Sequence, residues 1–470
     1  MNREQHDVVK NGLLEQLRSG RITRRQFLTQ MAAAGLALGG ASVLGAPGMV
    51  SAAPALQGRK LTPTFYTWIV DIHPLIRKDS ESFPGGVDLQ IAPTEGFDVA
   101  RFVAEAKNQM STWDVYVGMT PFVEMAGLVK AGVIEPWDPY LPKGVLDDMI
   151  PSIREECTVD GKLYSWPLLI DVIVEAYNKS LTDKAGIPDK APTDWDEYLA
   201  DAKTVIDSGA ARYGCTFDAH GWRSLAPITH SISTKCYYNL EGDTSGVPLY
   251  DFTSDPALQA LDIMKKMLEQ SSANALQPGT TDGGVNLTPD EVAFGAQAVA
   301  YYIKYQNAPL RFATKWTDPK ALRLAALPKA KGGEGATVFW TTGACLFKYG
   351  QNKEKAAEYM KFLWDAEDVW KDSISGIPSG QQPGQLPPYQ SIYAKWATEK
   401  PDWLQSQTWV NLVMEQLKIA KAIPNHAFGL QQFVIGQPFW EKYLKGEETD
   451  PKAAMQAAKD AVVAEIKKTA

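Results

Sequence analysis

The sequence predicts an α/β protein with a mostly parallel sheet and more than one domain. Residues 61–70 form an apolar run typical of a strand, residues 98–110 place apolar side chains at helical spacing, and residues 114–118 form a second strand. A strand, a helix and a strand in this order are the βαβ unit of a parallel sheet. The 470 residues exceed what one compact core usually takes, so we expect at least two domains.

The first candidate binding residues follow from this sheet. Ligands of open parallel sheets bind beyond the carboxyl ends of the strands. In the predicted arrangement Trp68, Glu95 and Thr120 lie at those ends. They offer an aromatic ring and hydrogen-bonding groups, so we expect them to contact a ligand.

The composition is that of an ordinary globular protein. Hydrophobic residues make up 45% of the chain and charged residues 22%. The net charge of -8 argues against nucleic acid as a partner, because that affinity rests on Lys and Arg side chains that neutralise phosphates. An anionic solute is still compatible with this charge, since one pocket can differ from the whole surface.

Residues 1–53 resemble a twin-arginine signal peptide. The sequence TRRQFL begins at Thr23, an apolar run rich in Ala and Gly covers 31–46, and small residues at 51–53 fit a cleavage site. An uncleaved membrane anchor is the alternative, but the run is shorter than the roughly 20 residues that span a bilayer. We therefore expect export by the twin-arginine machinery into the periplasm and removal of this segment.

A buried acid marks the centre of the chain. Residues 168–174 form a short apolar run bounded by turn residues, which is typical of a strand covered on both faces, and Asp171 lies within it. An unpaired buried carboxylate is costly, so Asp171 needs partners. The carboxylate either makes a structural hydrogen bond within the protein or contacts a ligand. Trp166 at the start of this run is a second candidate contact.

The same region carries a resemblance to a known family. Gly161–Pro167 reads G-K-x-Y-x-x-P, Tyr177–Lys179 reads Y-N-K, and Pro192–Glu197 opens a helix. The order and spacing of these motifs resemble those of the family 1 extracellular solute-binding proteins, which feed ABC importers mainly with carbohydrates. The resemblance covers nearly the whole chain after residue 53.

This resemblance implies a two-lobe periplasmic-binding-protein fold, in which each lobe is a mostly parallel sheet flanked by helices. Hinge crossings would join the lobes and face the ligand cleft. The implied segments are 60–171 and 329–374 for the N-terminal lobe, 175–322 and 381–470 for the C-terminal lobe, and 172–174, 323–328 and 375–380 for the crossings.

Three further segments supply candidate ligand contacts. One resembles the family's motif that ends in a ligand-stacking aromatic and contains Tyr302 and Tyr305, although the lysine of that motif is absent. The Gly-rich strand that follows the second crossing in the family is similar to the segment around Trp340. Trp222 follows a glycine in a polar loop, where packing in a core explains it poorly.

Together these residues predict a carbohydrate site between the lobes. Aromatic rings pack against the C–H face of a sugar, while carboxylates and hydroxyls bind its OH groups. We expect a monomer that captures the ligand by lobe closure. The resemblance implies delivery to the permease subunits of an ABC importer. The full candidate set is Trp68, Glu95, Thr120, Trp166, Asp171, Trp222, Tyr302, Tyr305 and Trp340.

Two other functions compete with this prediction. A non-sugar solute, such as a polyol phosphate or an organic acid, would need a cleft dominated by Arg and Lys. A secreted glycosidase would need two carboxylates facing each other, which only the fold can bring together. The sequence has no nucleophile elbow, zinc-binding helix or phosphate loop, and no closely spaced Cys and His cluster. We therefore expect no catalysis, no cofactor and no metal.

The four cysteines allow three pairings in an oxidising compartment. Cys215 and Cys236 are the favoured candidate disulfide, because their bond would close a local loop. The export route implied by the resemblance folds its passengers in the reducing cytosol, so the fold cannot depend on that bond.

Overall fold

The computed structural model describes residues 60–91, 99–272, 274–277, 280–282 and 285–469. The predicted signal peptide and Glu95 lie outside this part of the chain. Within it, no helix combines the length and the apolar character that crossing a membrane requires.

The strands of the described residues are short except for two long ones. They are β1 (Pro63–Phe65), β2 (Gln90–Ile91), β3 (Val115–Met119), β4 (Ile134–Glu135), β5 (Thr158–Val159), β6 (Lys162–Leu163), β7 (Trp166–Asn178), β8 (Tyr213–Phe217), β9 (Tyr237–Tyr238), β10 (Leu249–Tyr250), β11 (Thr280–Asp282), β12 (Val285–Leu287), β13 (Val299–Tyr305), β14 (Leu322–Ala325), β15 (Val338–Phe347) and β16 (Lys421–Ala422).

The α-helices surround these strands. They are α1 (Thr67–Ile72), α2 (Pro74–Glu81), α3 (Val99–Lys107), α4 (Ala126–Lys130), α5 (Val145–Asp148), α6 (Pro151–Glu156), α7 (Lys179–Lys184), α8 (Trp195–Asp207), α9 (Leu225–Ile232), α10 (Asp255–Leu268), α11 (Pro289–Gly295), α12 (Asn307–Ala313), α13 (Lys353–Trp364), α14 (Glu367–Ser375), α15 (Gln390–Glu399), α16 (Asp402–Gln405), α17 (Trp409–Ile419), α18 (Gln431–Lys445) and α19 (Pro451–Thr469). A π-helical turn covers Pro121–Met125, and 3₁₀ turns cover Asp138–Tyr140 and Pro319–Ala321.

One ten-stranded sheet runs through the chain in the order β2-β1-β3-β15-β7-β13-β8, with β4 and β16 on β15 and β14 on β7. Strands β1, β2 and β3 are parallel, and so are β13 and β8. The long strands β15 and β7 pair antiparallel with each other and with β3 and β13. The sheet therefore consists of two parallel parts joined by an antiparallel pair, which confirms the predicted α/β class.

The strand that contains Asp171 is longer than the sequence suggested. All 13 residues of β7 are buried, whereas the predicted run covered residues 168–174. Its neighbours β15 and β13 pair along both edges, and helices cover its faces, so even its polar residues lie inside the protein.

Two large hydrophobic cores share these long strands. The first core packs Trp166 and Leu169 of β7 against β1, β3 and helices α13, α14 and α17. The second core packs Ile173 and Tyr177 against β8 and helices α8, α10, α18 and α19. Two smaller clusters flank them, one around Phe102 and one around Phe294.

The chain passes from the first core to the second at a later position than the predicted crossing at 375–380. Ile374 and Leu386 flank the expected crossing at 375–380, yet both are buried in the first core. Ala420 belongs to the first core and Ile423 to the second. The chain therefore passes between the cores at 420–423, because helix α17 packs with the first core instead of leaving it.

The first predicted strand is shorter in the structure. β1 ends at Phe65, and the chain then turns into α1 and α2. Ile69 and Ile72 lie three residues apart on α1 and are both buried, a helical spacing that the β-branched composition of this run conceals. Trp68 therefore lies on a helix and not at a strand end, and it is half-buried against the first core.

Candidate functional site

Aromatic residues at or after the carboxyl ends of β3, β8 and β13 meet at one place. Phe122 follows β3, Trp222 follows β8, and Tyr305 ends β13. The ring centroids of Phe122 and Trp222 are 5.2 Å apart. Because β3 lies in one parallel part of the sheet and β8 in the other, the two parts meet here. Carboxyl ends of parallel strands are where such sheets bind ligands, so this is the candidate site.

Trp340 of β15 completes a cluster of four rings, which comprises Phe122, Trp222, Tyr305 and Trp340 and is called the ring cluster below. The centroid of Trp340 lies 5.0 Å from that of Trp222, 5.6 Å from that of Tyr305 and 6.5 Å from that of Phe122, each with the edge of one ring toward the face of the other. Trp340 is only 5% exposed, whereas Trp222 and Tyr305 are half-buried. Trp222 and Tyr305 therefore present the reachable ring surface.

Arg223 braces this cluster. Its guanidinium lies 4.1 Å from the ring centroid of Trp222 and 5.2 Å from that of Tyr305, within the range of cation–π attraction. Its NH1 donates to Asp218 Oδ2 at 3.0 Å. Burial opposes the charge on Arg223, but Tyr305 and Asp218 outweigh it and raise the pKa of the guanidinium. The cation thus stays charged beside the rings.

A buried ammonium joins three elements beneath the ring cluster. Lys304 of β13 donates to Asp218 after β8 and, at 2.7 Å, to Asp290 of α11. Tyr302 also donates to Asp290, at 2.6 Å. Burial opposes ionisation of Asp218, but the charges of Lys304 and Arg223 outweigh it and hold the pKa of the carboxyl well below its usual range. Lys304, Asp218 and Asp290 therefore form a buried ionic network, which is called the ionic brace below.

Asp171 lies beside the ring cluster and is held by two amides. It is the cross-strand partner of Trp340 in the pairing of β7 with β15. Asn307 Nδ2 donates to Asp171 Oδ1 at 2.6 Å, and Gln385 Nε2 donates to Asp171 Oδ2. Burial raises the pKa of Asp171 to about 6, while these hydrogen bonds and the charge of Arg311 oppose the shift.

The hydrogen bonds of Asp171 fix the orientation of its neighbours. A carboxylate only accepts, so each amide must turn its nitrogen toward Asp171. The carbonyl oxygen of Gln385 then faces His73 Nε2 at 2.5 Å, and that nitrogen must carry the proton. Burial lowers the pKa of His73 to about 4, so the ring is neutral at pH 7. Asn307 Oδ1 is left with no donor among the described residues.

The structure brings together four of the residues proposed from the sequence. Asp171, Trp222, Tyr305 and Trp340 lie at this site. Thr120, at 9% exposure, precedes the π-helical turn that carries Phe122, so it lies at the edge of the site.

Other proposed residues lie in different surroundings. Trp166 is fully buried in the first core, where its ring centroid is 5.2 Å from that of Trp137. Tyr302 points into the cluster around Phe294, with its hydroxyl on Asp290, because alternate residues of a strand face opposite sides. Trp68 packs against the first core, and its ring centroid lies 6.3 Å from that of Tyr66.

Several residues of the site were not predicted. Phe122, Arg223, Lys304, Asn307 and Gln385 all contribute side chains to it. Arg223 directly follows the proposed Trp222, so the loop position was a usable signal. Asn307 and Gln385 lie 136 and 214 residues from Asp171 in the sequence, and no local pattern links them.

The charges at the site are nearly balanced. Three cations, Arg223, Lys304 and Arg311, face four carboxylates, and the carboxylates are Asp171, Asp218, Asp290 and Glu291. Lys304 forms ion pairs with Asp218 and Asp290, and the guanidinium of Arg311 lies 3.8 Å from the carboxylate of Glu291. The lining is therefore not dominated by guanidinium and ammonium groups.

The candidate disulfide is absent from the structure. Cys215 and Cys236 are both free and buried in the second core. Cys215 Sγ faces the carbonyl oxygen of Met267 at 3.5 Å, while Cys236 Sγ faces that of Thr234 at 3.8 Å. The two thiols pack as small apolar groups against different neighbours, so closeness in sequence did not predict a bond.

Two curated relatives align with more than half of the chain. A binding protein of Brucella abortus is 25% identical over 296 residues, 59% of this chain and 65% of the relative. The mannitol-binding protein of Pseudomonas aeruginosa is 20% identical over 309 residues, 63% of this chain and 64% of the relative. The chain thus spans just under two thirds of the length of these relatives.

The fold is shared with solved structures. The maltose-bound MalE3 of T. maritima matches with a TM-score of 0.68 at 17% identity, over 86% of this chain and 99% of that one. This likeness establishes the two-lobe α/β fold. A family model described as bacterial extracellular solute-binding protein matches residues 84–369, which is more than half of the chain. The chain therefore belongs to the bacterial extracellular solute-binding protein family.

Proposed function

We propose that this chain is the solute-capturing component of an ABC importer and that it binds a sugar or polyol at the ring cluster. The observation that carries the proposal is the position of Trp222 and Tyr305, half-buried rings at the carboxyl ends of two parallel strands. Such rings pack against the C–H groups of a carbohydrate. The mannitol-binding relative and the maltose-bound structural neighbour support this ligand class.

The polar groups around the rings suit hydroxyls. Asn307 Oδ1 can accept a hydrogen bond, and the Nε atoms of Arg223 and Arg311 can donate one, since none has a partner among the residues described. These atoms are buried in this arrangement, so a polyhydroxylated solute, which supplies both donors and acceptors, would reach them only after the site opens. The balanced charge of the lining favours a neutral solute.

A non-sugar anionic solute is the second candidate. The two unpartnered Nε atoms of Arg223 and Arg311 favour it, because guanidinium groups bind carboxylates and phosphates well. The ion pair of Arg223 with Asp218 disfavours it, since that charge is already matched.

The two cores support a division into lobes that move about shared strands. We assign β1, β3 and helix α17 to the N-terminal lobe, and β8, β13 and helix α18 to the C-terminal lobe. The moving passages would be the middle of β7, the middle of β15 and residues 420–423. Closure would bring both lobes onto the solute, because only a ligand with greater affinity for the closed state can favour it.

The remaining parts of the proposal come from the family. An extracellular binding protein needs export, so residues 1–53 would act as the twin-arginine signal and the mature chain would work in the periplasm as a monomer. It would deliver the solute to permease subunits without catalysis. The engagement of Asp218 and Asp290 by Lys304 supports binding over glycoside hydrolysis, since these carboxylates are not free to act as acid and nucleophile.

Calorimetric titration of the mature chain tests the ligand class. D-Mannitol and maltose represent neutral solutes, and D-gluconate and glycerol 3-phosphate represent anionic ones. We expect binding within the neutral group and none within the anionic group. Binding of the anions alone would overturn the sugar assignment, and release of a free sugar from maltose would overturn the assignment as a binding protein.

A further inference from the structure

One ring of the ring cluster, Phe122, follows β3, which lies in the other parallel part of the sheet from β8 and β13. Phe122 belongs to the π-helical turn after β3, and its neighbours Met119 and Met125 are buried in the cluster around Phe102. Phe122 itself is 1% exposed and is buried in the second core, with Trp222 and Trp340. Two side chains of this turn thus pack with the second core, Phe122 inside it and Val123 against it.

The backbone of this turn also touches the second core. A Cβ atom at Gly429 would lie 2.1 Å from the carbonyl oxygen of Phe122, which is closer than any side chain tolerates. Gly429 belongs to the segment that follows the passage at 420–423 and precedes α18. The absence of a side chain at Gly429 is therefore what allows the turn to approach.

Phe122 covers ring surface that a solute would need. Its centroid is 5.2 Å from that of Trp222 and 6.5 Å from that of Trp340. Arg223 lies over Trp222 at 4.1 Å. Trp340 keeps only 5% of its surface exposed. In this arrangement Phe122 and Arg223 occupy part of the ring surface of Trp222, and protein groups cover almost all of Trp340.

We infer that Phe122 is a built-in latch, which holds the cluster around Phe102 against the second core and competes with a solute for the face of Trp222. Phe122 lies in the turn from Pro121 to Met125, and the backbone of this turn packs closely against Gly429. Release of Phe122 would free the indole of Trp222 and separate the cluster around Phe102 from the second core. The conformational part of this inference stands without a ligand, and only its effect on affinity rests on the proposed function.

Two variants test the latch by different routes. Phe122→Ala removes the ring, and Gly429→Ala pushes the turn away without touching the rings. Phe122→Leu keeps an apolar contact and serves as the milder variant if truncation impairs folding. Phe83→Ala is the matched control, because Phe83 is a buried ring of the first core that packs on Tyr359 and Phe362.

The readouts are small-angle scattering and hydrogen exchange of the chain without added solute. We expect a larger radius of gyration in Phe122→Ala and Gly429→Ala. We also expect roughly two- to tenfold faster exchange over 119–126, 220–226 and 424–430, the factor that corresponds to one lost aromatic pair. Phe122→Leu should fall between, and Phe83→Ala should leave these segments as they are. A folded Phe122→Ala with unchanged radius and exchange would overturn the latch.

Titration separates this inference from the proposed function. If D-mannitol or maltose binds, we expect Phe122→Ala to bind it more tightly by a similar two- to tenfold factor, because the competing ring is gone. A weaker affinity in a variant that opens would overturn the competition. If neither solute binds and the variant still opens, the proposed ligand class fails and the latch stands.

Discussion

Asp171 accepts a hydrogen bond from Asn307 Nδ2 at 2.6 Å, which ties the middle of β7 to the first turn of α12. Gln385 donates to the other carboxylate oxygen, so both oxygens of this buried acid are engaged by protein groups. The sequence left open whether Asp171 serves a hydrogen bond or a ligand. The structure shows the hydrogen bond, and through it the acid positions Asn307 at the candidate site.

Asp171→Leu should destabilise the protein by about 2–6 kcal/mol. The substitution leaves two buried amide donors without an acceptor, and each unsatisfied group costs roughly 1–3 kcal/mol. Asp171→Asn should cost less, because one amide oxygen can still accept. Urea unfolding at pH 7 measures both. The control is Asp147→Leu, whose side chain is 90% exposed and which should stay within about 0.5 kcal/mol of the wild type. Equal effects at the two positions would refute the structural role.

Glu156 should make the folded protein less stable as the pH rises from acidic to mildly alkaline values. This buried acid accepts from the backbone N and the hydroxyl of Thr341 in β15 through one oxygen, and its other oxygen has no partner among the described residues. Burial raises the pKa of Glu156 to about 8, against the effect of those two hydrogen bonds. The folded chain then holds a proton that the unfolded chain loses above pH 4.5, so this group's contribution declines as the pH rises from about 4.5 to about 8.

Glu156→Gln removes that titration. We expect the variant to be more stable than the wild type at pH 8.5, by up to about 5 kcal/mol, and to have a flatter profile between pH 5 and 8. Urea unfolding at several pH values measures this. Glu155→Gln is the matched control on the exposed side of α6, and its profile should run parallel to that of the wild type. A Glu156→Gln profile that is also parallel would show that Glu156 does not titrate in this range.

The sequence predicted the parts of the fold that depend on local patterns. Helix α3 and strand β3 lie within one to three residues of the expected positions, and β7 contains the expected buried run. The prediction failed where tertiary contacts decide. Nothing in the sequence near residue 375 indicates that the chain stays with the first core as far as Ala420. This path depends on how α17 packs, which the local sequence does not show. Local periodicity was present but misread at Trp68.

The site was predictable only in its aromatic half. Trp222, Tyr305 and Trp340 stood out as rings outside helical stripes or in a motif that resembles a known family. The polar half was not visible, because Asp171 meets Gln385 across 214 residues and Lys304 meets Asp218 across 86. Such pairs follow from strand order, which a single sequence does not reveal.

The free cysteines predict that reductants do not affect stability. Cys215 and Cys236 are unpaired and buried, and so are Cys157 and Cys345. We expect four thiols to react with a colorimetric reagent in the unfolded protein, and the melting temperature to be the same with and without dithiothreitol. Two reactive thiols, together with a lower melting temperature in dithiothreitol, would show that a disulfide forms after export.

Trp222→Ala should weaken binding of the solute found by titration by about 2 kcal/mol, which is roughly 30-fold. The indole combines apolar surface with a fixed position over Arg223, so its loss removes contact area from the site. Trp403→Ala is the control, because Trp403 packs on Trp396 at the edge of the first core. Calorimetry measures both affinities. A loss of equal size in the two variants would mean that affinity follows general stability and not the ring cluster.

Lys304→Met should destabilise the protein by about 3–5 kcal/mol, because it leaves Asp218 and Asp290 buried without their shared cation. Lys203→Met removes an exposed lysine that pairs with Asp207 and should change stability by less than about 1 kcal/mol. The double variant Lys304→Met/Asp290→Asn should recover part of the loss, since one of the two stranded charges is then gone. Urea unfolding of the three variants supplies the measurement. If Lys304→Met costs no more than Lys203→Met, the ionic brace beneath the ring cluster does not hold β13 to β8.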